Sequence, residues 1–232
     1  MEIAGLQKLT LLDFPGKVAC TVFLSGCNFR CPYCHNAELI DGLLPPETDE
    51  DGLIAFLQKR RGLLDGVCIT GGEPSLRGEE LARLLRRVKA LSYAVKLDTN
   101  GTRPGLLSSL AEEGLIDYVA MDIKNSPDRY AETAGLSRIS LDAVRESASF
   151  LLSGRVDYEF RTTVVKELFD DNSFLGIGPW IRGAKRYYLQ PFEDRDTVAV
   201  RGLHAPSREE LTRYQGIMLP FCPDTFIRGR DY

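Results

Sequence analysis

Residues 18–36 read VACTVFLSGCNFRCPYCHN, an apolar run that leads directly into three closely spaced cysteines. The run 18–24 has the length and the β-branched content of a strand buried on both faces, which is typical of parallel sheets. Cys27, Cys31 and Cys34 follow with the spacing C-x3-C-x2-C. Gly26 and Pro32 suit a tightly turned loop that would wrap the three thiols around one centre. The stretch therefore predicts a reactive loop at the carboxyl end of a buried strand.

Further apolar runs recur along the chain, and helical patterns separate them. We predict six strands, at 18–24, 67–70, 94–97, 118–121, 158–165 and 186–189. Apolar stripes and terminal signals predict helices at 81–91, 104–113, 141–153 and 207–219. This alternation favours right-handed βαβ units, so the expected fold is α/β, a partial parallel (β/α)6 barrel. No linker or repeat divides the chain, and we expect one domain over 1–232.

Composition and charge restrict the classes of function. The 232 residues are 44% hydrophobic, which is enough for one sizeable core. A net charge of −4 and a pI of about 5.4 provide no global positive field, so we expect neither nucleic acid nor a membrane as a partner. Residues 1–20 lack a basic region followed by a long apolar run, and no stretch approaches the length of a transmembrane helix. We expect a cytoplasmic protein.

Three of the six cysteines lie within eight residues, a spacing that favours a metal centre over disulfides. A [4Fe–4S] cluster usually takes four thiolates, so three would leave one iron open to a cofactor or substrate. The alternative is a structural zinc site that adds His35 as the fourth ligand. Adjacent Cys34 and His35 would have difficulty reaching the same ion, which favours the cluster. Cys20, Cys68 and Cys222 are dispersed, and we interpret them as buried structural thiols.

The strand predicted at 67–70 runs into Gly71-Gly72-Glu73-Pro74. The two glycines allow the backbone to approach a ligand closely, and main-chain groups together with Glu73 can hold an ammonium. An ordinary turn between a strand and a helix would also use glycine and proline. The position of this turn after a strand is what makes it a candidate binding element.

The next two strands end in KLDTNG (96–101) and AMDIKN (120–125). Asp98 and Asp122 would lie on adjacent parallel strands, where they could share a hard cation with the Thr99 hydroxyl, because such ions prefer oxygen ligands. Taken alone, either strand end would equally suit charged residues that are simply solvated.

The cysteine motif C-x3-C-x-aromatic-C, with Tyr33 as the aromatic residue, resembles the signature of the radical S-adenosylmethionine (SAM) superfamily. The resemblance implies one [4Fe–4S] cluster whose open iron binds SAM, and reductive cleavage of SAM to a 5′-deoxyadenosyl radical. It further implies that the 71–74 turn holds the SAM amino group and that Lys124 meets the SAM carboxylate as a point charge. Tyr33, Asn36 and Asp98 belong to the same expected SAM site.

DTNG at 98–101, D-x-K at 122–124 and DFPG at 13–16 together resemble the glycyl-radical-enzyme activases. Residues 6–36 are most similar to the activating proteins of anaerobic ribonucleoside-triphosphate reductases. In the pyruvate formate-lyase activase such strand ends supply SAM contacts and a monovalent-cation site, which implies a cation on Asp98, Thr99 and Asp122. The implied partners are a glycyl-radical enzyme, whose glycine loses an α-hydrogen, and a flavodoxin or ferredoxin as electron donor.

The chain departs from the activase pattern at two places. It has no second cysteine group, so one cluster is expected. The pyruvate formate-lyase activase uses a histidine after its last barrel strand to contact SAM, whereas LQPFE (189–193) has none, and Gln190 is the expected substitute. Arg161, on the fifth predicted strand, suits a role near SAM or the substrate as well as an ordinary salt bridge. Residues 191–207 are charged and aperiodic, and we interpret them as a mobile docking rim.

Alternative functions stay open at the level of sequence. The 7-carboxy-7-deazaguanine synthases share a CNFRCPYC-like loop and act on a small molecule, but as a group they lack the DTNG and D-x-K pair. A non-catalytic iron–sulfur or zinc protein would explain the cysteines alone, and the GGEP turn argues against it. Within the activases, a partner of the pyruvate formate-lyase type is the alternative to a reductase.

Overall fold

A computed structural model describes residues 1–229 of the chain. Ten strands form in this part: β1 Glu2–Ile3, β2 Gly5–Thr10, β3 Ala19–Leu24, β4 Thr48–Asp49, β5 Gly66–Gly71, β6 Ala94–Thr99, β7 Tyr118–Asp122, β8 Asp157–Val164, β9 Tyr187–Pro191 and β10 Thr225–Ile227. Eight of them make one sheet in the order β10-β9-β8-β7-β6-β5-β3-β2, and β1 pairs with β4. All neighbours in the large sheet are parallel except β2, which runs antiparallel to β3.

Helices connect the parallel strands. Seven α-helices lie within residues 1–229: α1 Glu50–Lys59, α2 Glu79–Ala90, α3 Pro104–Glu112, α4 Tyr130–Thr133, α5 Asp142–Leu152, α6 Asp171–Ile177 and α7 Arg208–Met218. The apolar stripe of α2 is fully buried and packs toward α1 and β6. Burying each leucine of such a stripe stabilises the fold by about 2 kcal/mol. None of the helices in the described residues is long and apolar enough to cross a membrane.

The predicted fold class is confirmed. The six predicted strands correspond to β3 and β5–β9, and the four predicted helices to α2, α3, α5 and α7, with ends that differ by a few residues. The sequence analysis did not predict the edge strands β2 and β10, the short pair β1 and β4, or the helices α1, α4 and α6. Exposed side chains interrupt β2, and β10 is only three residues long, so neither has a continuous apolar pattern. For α1 the sequence does contain a start signal, since Asp49 precedes two acidic residues and is a candidate N-cap. In the structure its side chain accepts a hydrogen bond from the Gly52 N–H.

The side chain of Phe14 fills the space at the amino ends of the strands, so the site lies at their carboxyl ends. Phe14, from the DFPG element, is 2% exposed and packs against Ala19 and Tyr118 at the start of β3 and β7. A Cβ atom on Gly66, at the start of β5, would lie 2.9 Å from the Phe14 ring. The adjacent Asp13 turns into the interior, where its carboxylate accepts a 2.6 Å hydrogen bond from the Thr21 hydroxyl.

Candidate active site

A cavity of about 470 Å³ opens at the carboxyl ends of the parallel strands. It brings together all but one of the site residues expected from the sequence. Those that line it are Cys27, Cys31, Tyr33, Cys34, Asn36, Gly71, Gly72, Glu73, Asp98, Thr99, Asp122, Lys124 and Gln190. Pro74 is the exception, since it is buried and begins the short 3-10 turn Pro74–Arg77 behind the cavity wall.

Backbone hydrogen bonds to neighbouring segments help to hold the cysteine loop in place. The N–H groups of Gly26 and Cys27 donate to the Leu39 and Ile40 carbonyls at 2.7 and 3.0 Å, and the Arg30 N–H donates to the Ala134 carbonyl at 2.9 Å. All three loop thiols are free. Burial raises the pKa of the Cys27 thiol to about 11, although the Phe29 N–H and Lys124 act in the opposite direction.

The donor set of the loop fits an iron–sulfur cluster. Three free thiols face one cavity, and in a [4Fe–4S] cube each thiolate binds a different iron, so the sulfurs need not converge on one point. No three His, Cys, Asp or Glu side chains in residues 1–229 converge on a point suited to a single ion. His35, the fourth ligand of the zinc alternative, instead contacts the Glu193 carbonyl through Nε2 at 2.7 Å and stacks on Phe192.

The glycine turn after β5 is pressed against the cysteine loop. Gly71 has a φ of +123°, and a Cβ atom there would lie 2.3 Å from the Leu24 carbonyl oxygen. A Cβ atom on Gly72 would lie 2.1 Å from the Gly26 carbonyl oxygen. Any side chain at either position would push the two segments apart. The glycines therefore serve the contact between two site segments as well as the approach of a ligand.

Glu73 is a connecting residue in this structure. The residue is 1% exposed, and its carboxylate accepts from the Ser75 N–H and hydroxyl, the Thr99 hydroxyl and the Asn100 N–H. Burial raises the pKa of the Glu73 carboxyl, and these hydrogen bonds offset part of the rise. Both oxygens thus bind protein groups and tie the turn to the end of β6. The expected contact between Glu73 and an ammonium stays a prediction.

Asp98 and Asp122 lie on adjacent strands, as expected, but Arg161 from β8 lies between them. Its Nη1 is 3.2 Å from Asp98 Oδ2, and its Nε is 3.0 Å from Asp122 Oδ1. The other Asp98 oxygen binds Lys96 Nζ. Thr99 does not join the two carboxylates, because its hydroxyl donates to Glu73. These residues therefore do not form the shared oxygen site that the sequence suggests.

Lys124 follows β7 and points its ammonium into the cavity wall. Its Nζ is 3.0 Å from Asp122 Oδ2 and 5.9 Å from the centre of the Tyr33 ring. Burial lowers the pKa of Lys124, but Asp122, Tyr33 and Cys31 outweigh it and raise that pKa well above its usual value. Burial likewise opposes ionisation of Asp122, yet Arg161 and Lys124 lower its pKa to about 2. Lys124 is consequently a stable cation beside the cysteine loop.

Two further residues of the site are Gln190, which the sequence analysis predicted, and Asn100, which it did not. Gln190, the expected substitute for the histidine, lines the cavity next to Thr163, its register partner on β8. Its contact with SAM stays a prediction. Asn100 was missed, and it donates to the Asn28 side chain at 2.8 Å, which joins the DTNG segment to the cysteine loop. Only its position in DTNG could have indicated it.

Comparison with known proteins agrees with this geometry. A family model described as the radical SAM superfamily matches residues 21–171. A Methanocaldococcus jannaschii protein, provisionally named a glycyl-radical enzyme activating enzyme, is 30% identical over 97% of this chain and 95% of its own length. The pyruvate formate-lyase 1-activating enzyme of Escherichia coli K12 is 26% identical, with 94% of each chain covered. The 7-carboxy-7-deazaguanine synthase of Koribacter versatilis is 32% identical over 64% of this chain and 62% of that enzyme.

The fold has counterparts among solved structures. Streptococcus suis SuiB bound to its precursor peptide SuiA superimposes with a TM-score of 0.71 at 13% identity, over 90% of this chain and 48% of that one. At this identity the likeness concerns the fold alone. The family match covers more than half of the chain and includes the cysteine loop, the 71–74 turn, Asp98 and Lys124, and the chain therefore belongs to the radical SAM superfamily.

Proposed function

We propose that this enzyme generates a glycyl radical on a partner protein, and that the partner is an anaerobic ribonucleoside-triphosphate reductase. The observation that carries the proposal is that one cavity is lined by residues of the cysteine loop, Gly71–Glu73, the DTNG and D-x-K strand ends and Asp13 of DFPG. Similarity over nearly the full chain to two proteins named as activating enzymes supports the reaction class. The choice of the reductase rests on the resemblance of residues 6–36.

A bound cluster and SAM would supply the 5′-deoxyadenosyl radical, and the chain itself supplies binding, orientation and exclusion of water. Cys27, Cys31 and Cys34 would hold the cluster. The backbone of the 71–74 turn would bind the SAM amino group, and Lys124 its carboxylate. No general base is required, because the substrate glycine gives up a hydrogen atom rather than a proton. Glycine suits the site since it has no side chain to exclude it from a narrow cavity.

The open sheet suits a protein substrate. In residues 1–229 the outer edges of β2 and β10 have no strand neighbour, so the sheet is not closed around the cavity. A loop of another protein could enter the cavity through the opening between the two edge strands. A flavodoxin or ferredoxin is the proposed one-electron donor. All six cysteines are free, which suits a reducing compartment, and we propose that the reaction takes place in the cytoplasm.

A small-molecule radical SAM reaction is the second candidate. The identity to a 7-carboxy-7-deazaguanine synthase favours it, but that alignment leaves more than a third of either chain unmatched. The activating enzymes align along nearly their whole length. A partner of the pyruvate formate-lyase type is the alternative within the proposed class.

The test mixes reduced, cluster-loaded protein and SAM with each candidate glycyl-radical enzyme and follows the radical by electron paramagnetic resonance. We expect a glycyl-radical doublet with the reductase, and none with the Cys31→Ser variant. A doublet only with pyruvate formate-lyase would keep the reaction class and change the partner. No doublet with any protein, together with turnover of a purine-like small molecule, would overturn the activase proposal.

A further inference from the structure

The centre of the cavity wall contains five charged side chains that bind one another. Arg161 bridges Asp98 and Asp122, Lys96 binds Asp98, and Lys124 binds Asp122. Every oxygen of the two carboxylates therefore has a cationic partner from the protein. Three positive side chains surround two negative ones, which leaves one positive charge in excess.

These five charged side chains are largely shielded from water, so the excess positive charge is only weakly screened. Side-chain exposure is 2% for Lys96, 12% for Arg161, 15% for Asp98 and Lys124, and 28% for Asp122. Like charges at short distances repel strongly where water is largely excluded. A further cation placed between the carboxylates would lie close to three positive groups. One anionic carboxylate, by contrast, would neutralise the excess.

Thr99, the third residue expected to bind a free ion, uses its hydroxyl in other hydrogen bonds. The Thr99 hydroxyl donates to Glu73 at 2.8 Å and accepts from the Gly101 N–H at 3.1 Å. It therefore belongs to the hydrogen-bond network of the 71–74 turn. The set of Asp98, Thr99 and Asp122 does not fit a monovalent ion in this structure.

We propose that the Arg161 guanidinium is the built-in cation of this site, and that the enzyme binds SAM without a free K⁺ or Na⁺ ion. Arg161 extends from β8, which pairs with β7, and the register places it opposite Asp122. A guanidinium is always charged and can donate to two carboxylates in a fixed plane, so it holds both side chains at a set separation. By fixing Asp122, Arg161 positions Lys124 for an anionic group of SAM.

This proposal depends on SAM binding in the cavity and not on the identity of the protein partner. It can therefore fail while the activase proposal stands, and it can hold if the partner is a different one. Arg161 acts through Asp122 and Lys124, so it is a positioning residue. The informative measurement is the dependence of SAM affinity on the cation, which a merely structural residue would not change.

The experiment measures the dissociation constant of SAM by equilibrium dialysis with the cluster-loaded protein. KCl, NaCl and tetramethylammonium chloride are compared at one ionic strength. For the wild type we expect constants that agree within about twofold. A wild-type affinity that rises about tenfold or more with K⁺ or Na⁺ would overturn the proposal without any variant.

Two variants sharpen the test. Arg161→Met keeps an apolar side chain of similar length and removes the charge, so Asp98 and Asp122 are left to attract an ion. We expect its SAM affinity in tetramethylammonium chloride to fall about tenfold or more and K⁺ or Na⁺ to restore part of the loss. Arg155→Met is the matched control, because Arg155 and its partner Glu112 are 62% and 60% exposed and lie outside the cavity lining.

Direct ion binding gives a second readout that does not depend on SAM. Line broadening of the sodium-23 resonance should show a specific site in Arg161→Met that the wild type and Arg155→Met lack. A specific site of equal affinity in the wild type would contradict the proposal. If Arg161→Met fails to fold, Arg161→Lys takes its place. Lysine keeps the charge, so SAM affinity should stay independent of K⁺ and Na⁺, and cation dependence in that variant would count against the proposal.

Discussion

Several residues that line the cavity also form hydrogen bonds with one another. Glu73 joins the 71–74 turn to Thr99 and Asn100, and Asn100 in turn contacts Asn28 of the cysteine loop. Glu73, Thr99 and Asn100 are buried, and each has a polar group that would lose a partner if its neighbour changed. Substitution at one motif therefore disturbs the others, and residue effects in this site should not be additive.

The cysteines provide the most direct test at this scale. Anaerobically reconstituted protein should hold about four irons per chain. Cys31→Ser should abolish the absorbance of the cluster and the cleavage of SAM. Cys68→Ser should retain both, because Cys68 is fully buried in β5, where its sulfur lies 3.8 Å from Lys96 Nζ. A cluster that survives Cys31→Ser and is lost in Cys68→Ser would show that the ligand assignment is wrong.

Asp122 predicts a specific loss of stability in acid. Its pKa is lowered in the folded state from 3.8 to about 2, so its ion pairs stabilise the fold fully above about pH 4. That contribution should disappear as the pH falls through 2, and it amounts to about 2 kcal/mol. The measurement is the free energy of unfolding of cluster-free wild type and Asp122→Asn between pH 7 and pH 2. The difference between them should shrink below pH 4, and a constant difference would contradict the assignment.

Among the elements, the rim segment, residues 191–207, is attached to the cysteine loop. Phe192 is 1% exposed and stacks on His35, while the Val200 N–H donates to the Pro32 carbonyl at 3.0 Å. Arg195 of the segment lines the cavity. The interpretation of these residues as a mobile rim did not anticipate these contacts. They imply that the order of the segment depends on the conformation of the cysteine loop.

Limited trypsin digestion at Arg195 and Arg201 tests this dependence. His35→Ala removes one hydrogen bond and one ring stack, together worth about 1–2 kcal/mol, so cleavage in the rim segment should accelerate about fivefold to thirtyfold. Loading of the cluster should slow cleavage in the wild type. The control Leu12→Ala changes a side chain that is 86% exposed and should leave the rate unaltered. Equal rates for His35→Ala and wild type would show that the loop does not hold the segment.

An ion pair directly after β10 adds to the backbone pairing that joins this strand to β9. Arg228 donates to both oxygens of the fully buried Glu159 at 2.9 Å, and Tyr118 donates to the same carboxylate at 2.9 Å. Arg228→Met would leave a buried charge with one neutral donor, so the free energy of unfolding should fall by about 3–5 kcal/mol. Arg155→Met breaks an exposed pair and should cost at most about 1 kcal/mol.

Denaturant titration measures the loss of stability in both variants. The double variant Arg228→Met with Glu159→Gln should recover part of the stability, because it no longer leaves a buried charge without a cation. A double variant less stable than Arg228→Met alone would mean that the lost pairing is not the cause.

For the molecule as a whole, one large apolar core connects the amino-terminal Ile3 to Cys222 near the other end of the sheet. This continuity supports the prediction of one domain, for which we expect one cooperative unfolding transition. Trp180 is the only tryptophan, so its fluorescence reports a single place in the fold, whereas far-ultraviolet circular dichroism reports all the helices and strands. The two signals should change at the same denaturant concentration. Separate midpoints would divide the chain into two folding units.

The amino-acid sequence was enough to predict the fold class and a set of candidate cluster ligands, because both depend on local order along the chain. The spacing of Cys27, Cys31 and Cys34 lies within one loop, and the apolar runs identify strands whose carboxyl ends must meet at one edge of a parallel sheet. This is why the 71–74 turn, Asp98 and Lys124 could be expected at one end of the sheet from the sequence.

The contacts of those residues follow from the packed fold and could not be predicted from the sequence. Arg161 is 39 residues from Asp122 and 63 from Asp98, and His35 is 158 residues from its Glu193 partner. Such pairings follow from strand register, side-chain length and the competition of donors for buried carboxylates, none of which leaves a periodic pattern in a single sequence. The sequence therefore predicts that Asp98 and Asp122 lie close together, whereas the packing of the sheet places Arg161 between them.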